Sequence, residues 1–254
     1  MPVAIGIIPA RFASTRLPGK PLIDLGGQSM IERVVRQAQQ ANLARVVVAT
    51  DDERIRRHVL DFGGEAVLTR PDHPSGTDRA WEAYRQLGQP AADCIVNIQG
   101  DEPFIHPAQI NALVALFARP EAAPAIATLI KPVLTEEELF SPHLPKVVVK
   151  TAAAGHEALY FSRHPLPYQR QHPPAEWLAH HRYYRHLGLY AYQPAVLGQL
   201  VQLPPSPLEL AESLEQLRWL EAGFPIQTAV TELDAFGIDT PEDVVRARQR
   251  LGHS

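Results

Sequence analysis

Three cationic side chains stand close together near the start of the chain, next to glycine and hydroxyl residues. Arg11, Arg16 and Lys20 can donate hydrogen bonds to phosphate oxygens, and Gly19 lets backbone approach a ligand closely. The apolar run at 3–8 just before them is typical of a buried parallel strand, at whose carboxyl end open α/β sheets bind ligands. The pattern favours a polyphosphate site over the alternative, a solvated basic loop after an edge strand.

This loop matches neither of the two common phosphate-binding motifs. A P-loop has glycine five positions before its Gly-Lys pair and a hydroxyl residue after it, whereas Ser14 and Pro21 occupy those positions here. The dinucleotide fingerprint G-x-G-x-x-G does not occur in the sequence. A different class of nucleotide site is therefore indicated.

Acidic residues follow two further predicted strands. Asp101 and Glu102 come after the apolar run 95–98, and Asp239 comes after the last predicted strand. Carboxylates facing a phosphate loop are suited to Mg²⁺, a hard ion that prefers oxygen ligands. The alternative is that Asp101 caps a turn and Glu102 is solvated. We expect Asp101, Asp239 and the cationic loop to converge in a phosphoryl-transfer site.

The elements that position these residues alternate between strand and helix. Apolar runs predict buried strands at 3–8, 46–49 and 95–98, a short strand at 66–69 and a further strand at 126–133, and helices with capping residues lie between them. Short strands and a Pro-rich loop dominate from about 135 to 192. Ser206 opens a predicted helix to Gly223, and a strand and a terminal helix follow. The sequence predicts one α/β domain over 1–254, with a small β-rich subdomain inserted at about 135–192.

The middle segment offers polar groups for a second ligand. Arg163 at a strand exit could meet a carboxylate, and His186 and Tyr190 share one face of the strand 183–192. That face suits a hydroxyl-rich ligand or a sheet contact. A zinc site of His180, His181 and His186 is the alternative, and it is disfavoured because no Cys or carboxylate stands at a ligand-type spacing from them.

Composition limits the class of protein. With 254 residues, 45% of them hydrophobic and 20% charged, the chain can bury one large core. A net charge of −4 argues against a general nucleic-acid surface. The lone Cys94 lies in an apolar run and is expected to be a core thiol in a reducing compartment. Without a long apolar run or a signal-type N-terminus, we expect a cytoplasmic protein that does not insert into membranes.

Several motifs are distributed over nearly the whole chain. They are Pro9-Ala10-Arg11, the run from Ser14 to Pro21, Ser75-Gly76-Thr77, Gln99-Gly100-Asp101-Glu102-Pro103, and Pro205 to Glu209 with Leu214 to Arg218. Together they resemble the cytidylyltransferases that activate 3-deoxy-manno-octulosonate (Kdo) as CMP-Kdo. The resemblance implies a mostly parallel three-layer sheet of the nucleotide-diphospho-sugar transferase type. It also implies that the chain couples CTP and Kdo with Mg²⁺, releasing pyrophosphate, as a step of lipopolysaccharide synthesis.

The resemblance also assigns roles to residues. Arg11 and Lys20 would hold the CTP triphosphate, and Asp101 and Asp239 would ligate the metal. Ser75 and Gly76 would contact cytosine and ribose, with a plain N-cap turn as the alternative. Pro9 and Ala10 would complete the nucleotide site. The sugar contacts implied are Arg16, Gln99, Arg163, His186, Tyr190, Glu215 and Gln216, with Arg163 pairing with the Kdo carboxylate.

The resemblance further implies a homodimer that pairs through the region of the strand Leu187 to Tyr192. This strand has more apolar side chains than a small subdomain is expected to bury. Within the same fold, an 8-amino-Kdo or sialate cytidylyltransferase, or a sugar-1-phosphate nucleotidyltransferase, are alternatives. A catalytically silent nucleotide-binding relative is the alternative of another class.

Overall fold

Two compact units make up the computed structural model, which describes residues 1–13, 17–118, 123–152 and 155–252. The first unit comprises residues 1–115 and 235–254, and the second comprises 116–234. The second unit is therefore larger than the predicted subdomain at about 135–192. Arg16, one of the predicted sugar contacts, lies outside the described residues.

The first unit contains four parallel strands in the order β3-β2-β1-β4. They are β1 (Ala4–Ala10), β2 (Arg45–Thr50), β3 (Ala66–Leu68) and β4 (Cys94–Asn97). In β1, Ile7 pairs with Val47 on one side and with Asn97 on the other. Every residue of β4 and nearly every residue of β1 is buried, as the continuous apolar runs predict. Burial raises the pKa of the core Cys94 thiol to about 12.

Five helices accompany these strands. They are α1 (Met30–Ala38), α2 (Glu53–Asp61), α3 (Gly76–Gln86), α4 (Pro107–Ala115) and α10 (Pro241–Gly252). The Ser29 side chain caps α1 by accepting from the Glu32 backbone N–H. Helix α3 begins at Gly76, because the Ser75 side chain accepts from the backbone N–H groups of Thr77 and Asp78.

The second unit contains five strands in the order β8-β5-β9-β7-β6, and β6 also pairs with β8. They are β5 (Ile126–Pro132), β6 (Lys146–Ala152), β7 (Gly155–Ser162), β8 (Tyr184–Tyr192) and β9 (Ile226–Val230). Only β5 and β9 are parallel among these pairings of the described strands. Strands β6 and β7 lie in the region for which the sequence predicts short strands, and they form an antiparallel pair.

The helices of the second unit are short. They are α5 (Glu136–Phe140), α6 (Trp177–His180), α7 (Pro194–Leu200), α8 (Pro207–Glu212) and α9 (Gln216–Glu221). The prediction of one helix from Ser206 to Gly223 was wrong, because Ser213 takes a left-handed conformation with φ 53° and ends α8. Helix α6 follows a 3₁₀ turn, Pro174–Glu176, in a segment for which the sequence predicts only loop. No helix in the described part of the chain has the length and apolar character to cross a membrane.

A close backbone approach lies where β1 and β4 end. A Cβ atom added to Gly100 would stand 2.5 Å from the Pro9 carbonyl oxygen, so only glycine fits there without a shift of backbone. Gly237 also belongs to the first unit, and an added Cβ would have no heavy atom within 4 Å. The two positions form a matched pair for testing the effect of one methyl group.

We expect Gly100→Ala to lower the free energy of unfolding by about 1–3 kcal/mol, because the new methyl group forces backbone apart. Gly237→Ala should change it by less than about 0.5 kcal/mol. Urea unfolding followed by circular dichroism measures both. Equal midpoints for Gly100→Ala and the unmodified chain would show that β1 and β4 do not meet this closely.

Candidate active site

A cavity of about 300 Å³ opens in the first unit at the carboxyl ends of β1 and β4. Strand β2 lies on one side of β1 and β4 on the other, so this edge is a point at which the strand order reverses, the usual place for a ligand in α/β sheets. All six predicted nucleotide contacts line the cavity: Pro9, Ala10, Arg11, Lys20, Ser75 and Gly76. Gln99, Asp101 and Asp239 line it too.

Lys20 lies between the two aspartates. Its Nζ donates to Asp101 Oδ2 at 2.7 Å and to Asp239 Oδ1 at 3.0 Å. Only 12% of the lysine side chain is exposed, so these charge-assisted contacts are partly shielded from water. The structure thus brings together three residues from distant parts of the sequence, as predicted, and their roles stay predictions.

Local backbone structure places Lys20. Gly19 adopts φ 67°, a conformation that favours glycine, and its N–H donates to the Phe12 carbonyl at 3.1 Å. Lys20 then begins a short 3₁₀ helix that ends at Leu22. Gly19 therefore shapes the turn before Lys20, and it is not among the residues that line the cavity.

Asp239 is held by the start of α10 and by the Asp101 segment. The Asp243 carboxylate accepts from the Asp239 and Thr240 backbone N–H groups, both at 2.9 Å. Burial acts to raise the pKa of Asp243, but these hydrogen bonds and that from Arg246 outweigh it and lower the pKa to about 2. The Ile238 N–H donates to the Asp101 carbonyl at 2.9 Å. The two aspartates are therefore tied together through backbone as well as through Lys20.

The surroundings of Asp101 favour a bound cation. Burial and the neighbouring Asp101 charge raise the pKa of Glu102 to about 8, which is not the behaviour of the solvated side chain that the alternative interpretation requires. The carboxylate oxygens of Asp101 and Asp239 already share one cation, the Lys20 ammonium group. This donor set of carboxylate oxygens fits Mg²⁺.

Sequence reasoning missed five residues that line the cavity: Pro21, His73, Pro74, Arg79 and Gly100. Arg79 is buried, and it donates to Thr69 Oγ1 at 2.6 Å and to Asp51 Oδ2 at 3.1 Å. The His73 side chain contacts the Glu82 carboxylate. Arg79 and His73 belong to no motif, and the contacts that position them become visible only in the folded chain.

In the second unit, His186 and Tyr190 belong to a buried aromatic cluster. His186 Nε2 lies 3.0 Å from Thr128 Oγ1, and its ring packs 5.2 Å from that of Tyr190. Burial lowers the pKa of His186 to about 3, so its imidazole is neutral near pH 7. Tyr190 packs edge-on against Trp219 at 5.1 Å, and burial raises its pKa far above the ordinary value.

Two buried side chains of the second unit, Tyr190 and Gln216, have a polar atom that could bind a ligand. Among the described residues, none offers a hydrogen-bond partner to the Tyr190 hydroxyl or to the Gln216 side-chain nitrogen. Unsatisfied buried polar atoms are costly, and a ligand with hydroxyl groups would satisfy them. Glu215 precedes Gln216 at the start of α9 and accepts from Arg218 at 2.8 Å.

The guanidinium of Arg163 donates to backbone. Its Nε donates to the Glu212 carbonyl at 2.7 Å, and its terminal nitrogens donate to the carbonyls of Pro142 and Ser213. Arg163 thus caps the end of α8 and fixes the turn that leads to Glu215. These contacts give Arg163 a positioning role, and the pairing with a substrate carboxylate stays a prediction.

The reason given for a homodimer does not hold in this structure. Leu187, Leu189, Tyr190, Ala191 and Tyr192 are all buried within the chain itself, so they do not leave an apolar face for a partner. The prediction of a dimer then rests on the resemblance alone.

The family model for cytidylyltransferases matches residues 5–230, most of the chain. The chain belongs to the cytidylyltransferase family. A 3-deoxy-manno-octulosonate cytidylyltransferase of Cytophaga hutchinsonii is 54% identical over 95% of each chain. A 3-deoxy-manno-octulosonate cytidylyltransferase of Parabacteroides distasonis is 53% identical over 96% of each chain. The solved structure of a CMP:2-keto-3-deoxy-manno-octonic acid synthetase complexed with CTP superposes with a TM-score of 0.89 over 99% of both chains, at 42% identity. This cytidylyltransferase therefore has the α/β fold expected from its sequence.

The buried, neutral His186 predicts a pH dependence of stability. The unfolded chain binds a proton at this histidine below about pH 6.5, whereas the folded cytidylyltransferase does not until about pH 3. Stability is therefore lost as the pH falls from 6.5 towards 3, by up to about 1.4 kcal/mol per pH unit from this group. Replacing His186 by Gln should flatten this part of the pH profile, as measured by urea unfolding between pH 7 and pH 4.5.

The matched control is His181→Gln, since His181 is exposed. That variant should keep the slope of the unmodified chain. A slope in His186→Gln as steep as in the control would mean that His186 is protonated in the folded state.

Proposed function

We propose that this cytidylyltransferase transfers the cytidylyl group of CTP to Kdo, giving CMP-Kdo and pyrophosphate, the activation step for the inner core of lipopolysaccharide. The observation that carries the proposal is the convergence of Lys20, Asp101 and Asp239 on one cavity. It occurs in a chain whose relatives at more than half identity are named 3-deoxy-manno-octulosonate cytidylyltransferase.

The nucleotide is assigned to the first unit. Arg11 and Lys20 supply cationic donors for the triphosphate, and charge-assisted contacts of this kind are among the stronger hydrogen bonds. Ser75 and Gly76 at the start of α3 border the cavity, so the capping turn of that helix and the predicted base and ribose contact are compatible. Pro9 and Ala10 form the cavity wall at the end of β1.

Asp101 and Asp239 would hold Mg²⁺. The ion, when bound, supplies charge stabilisation at the phosphates and acidifies the attacking sugar hydroxyl. The single positive charge of Lys20 offsets one of the two carboxylate charges, and the same ammonium group would be in reach of the phosphates that line up with the metal. Because positioning and charge stabilisation suffice for in-line attack at the α-phosphorus, no protein base is required.

The sugar is assigned to buried polar groups, two of which have an atom without a hydrogen-bond partner among the described residues. The Tyr190 hydroxyl and the Gln216 amide have such atoms, and the neutral His186 can bind a hydroxyl group without an added charge. Glu215, Gln99 and Arg16 stay predicted sugar contacts. Arg163 contributes by fixing the turn before Glu215. We further propose a cytoplasmic homodimer on the resemblance to the family.

Kdo is favoured over other acceptors by the names of the relatives. An 8-amino-Kdo or sialate cytidylyltransferase would use the same nucleotide chemistry, so the acceptor must be tested directly. A catalytically silent relative is expected to have lost a metal ligand or a phosphate cation, and Arg11, Lys20, Asp101 and Asp239 are all present.

An assay of pyrophosphate release tests the proposed nucleotide and acceptor. It compares CTP, UTP and GTP, each with Kdo, 8-amino-Kdo or sialate. We expect release with CTP and Kdo together, dependent on Mg²⁺, and roughly 100-fold lower kcat/KM for the wrong base or sugar. Equal rates without metal, or a preference for sialate, would refute the proposal as stated.

Asp101→Asn and Asp239→Asn separate a metal site from turn capping. Because asparagine caps a turn nearly as well as aspartate but lacks the charge, loss of a metal ligand should lower turnover by roughly 100-fold or more while the fold and CTP binding persist. Single-turnover assays, with thermal melts as a check on folding, measure this. Asp61→Asn on the exposed end of α2 is the matched control. A near-normal rate in either variant would remove that aspartate from the metal site.

A further inference from the structure

A cluster of two histidines and one glutamate lies in the second unit, in the segment that carries α6. Glu176 stands four residues after His172 and four before His180, a spacing that brings side chains to one side of a helical turn. Glu176 Oε2 lies 3.8 Å from His172 Nδ1 and 3.8 Å from His180 Nε2. The three atoms that could ligate an ion lie within 4.8 Å of one another. The two imidazole rings are stacked, with centroids 3.6 Å apart.

The backbone that carries these side chains is fixed by Trp177. Its side chain is buried, and its indole N–H donates to the His172 carbonyl at 3.0 Å. The Trp177 carbonyl accepts from the Gln169 side chain at 2.7 Å and from the His181 N–H at 3.0 Å. The tryptophan ring packs against Phe140, Tyr168 and Tyr183. The backbone that carries the three candidate ligands is therefore held in place before any ion binds, which lowers the entropic cost of binding.

We propose that His172, Glu176 and His180 form a binding site for a transition-metal ion of the zinc class, with water completing the coordination. Two imidazole nitrogens and one carboxylate oxygen are a ligand set that suits Zn²⁺, whereas Mg²⁺ prefers oxygen alone. Tetrahedral zinc with bonds of about 2.0–2.1 Å needs ligand atoms roughly 3.3 Å apart, close to the 3.8 Å separations here.

Ring rotation completes the site. The His172 and His180 side chains are 32% and 44% exposed, so each ring borders solvent and can turn its nitrogen towards a shared ion. Glu176 is the only acidic residue between Arg163 and Tyr183. It therefore supplies the single negative charge of this segment at the point where the histidines meet, which offsets part of the charge of a divalent cation.

The prediction that no carboxylate stands at a ligand-type spacing from His180 was wrong. Glu176 is such a carboxylate. The other two histidines considered for zinc do other things, since His181 packs edge-on against Tyr183 at 4.8 Å and His186 contacts Thr128. The proposed site uses none of the residues assigned to the cytidylyl transfer reaction, and it does not depend on that assignment.

Equilibrium dialysis of the full chain against Zn²⁺ tests the proposal. Excess Mg²⁺ occupies sites made of oxygen ligands, and bound zinc is measured by atomic emission. We expect one zinc ion per chain. His172→Ala and His180→Ala should weaken binding by at least about tenfold, as should Glu176→Gln. His181→Ala is the matched control, an adjacent exposed histidine whose loss should leave zinc binding unchanged.

Thermal unfolding with and without Zn²⁺ gives a second readout. An ion that binds only the folded chain raises the melting temperature, and this increment should vanish in His172→Gln and His180→Gln while both variants melt cooperatively without zinc. Failure of the unmodified chain to retain zinc would overturn the proposal. So would retention of zinc by the His172 and His180 variants, or its loss from His181→Ala to the same extent.

Discussion

Two aspartates of like charge share one lysine, and the candidate active site depends on this arrangement. Without a cation, Asp101 and Asp239 would repel each other in a partly shielded cavity. The Lys20 ammonium group lies within 3.0 Å of both and offsets that repulsion. A site that already accommodates one shared cation is suited to exchanging it for a divalent ion together with an anionic substrate.

Backbone contacts maintain this geometry independently of the charges. The Ile238 N–H bonds to the Asp101 carbonyl, and the Asp243 carboxylate holds the turn that presents Asp239. Ile238 itself is packed in a hydrophobic cluster with Leu25 and Met30. The Asp239 side chain of the candidate site is thus anchored through apolar burial a single residue away, which limits how far its carboxylate can move.

The sequence was sufficient for those parts of the fold that local patterns determine. Continuous apolar runs predicted the buried strands, and Ser29 and Thr135 marked the starts of helices through their capping side chains. That Asp101 lies near the cationic loop could be predicted because β1 and β4 are parallel and end at a common edge. Asp239 is different, since it lies well beyond the end of β9 at Val230 and is positioned by the start of α10. The break at Ser213 could not, because a non-glycine residue seldom adopts positive φ and no local signal announces it. The backbone contacts of Arg163 were also unpredictable, since they join segments about fifty residues apart.

The division of the chain has a consequence for its synthesis. The first unit is built from residues 1–115 and 235–254, and the contact between Lys20 and Asp239 spans 219 positions. At about 5–20 residues per second, a ribosome needs roughly 10–45 s to pass from one to the other. The second unit, residues 116–234, is one uninterrupted stretch that is synthesised before α10. The nascent chain therefore waits for its last segment before the aspartate pair exists, and the cavity cannot form its full charge arrangement on an unfinished chain.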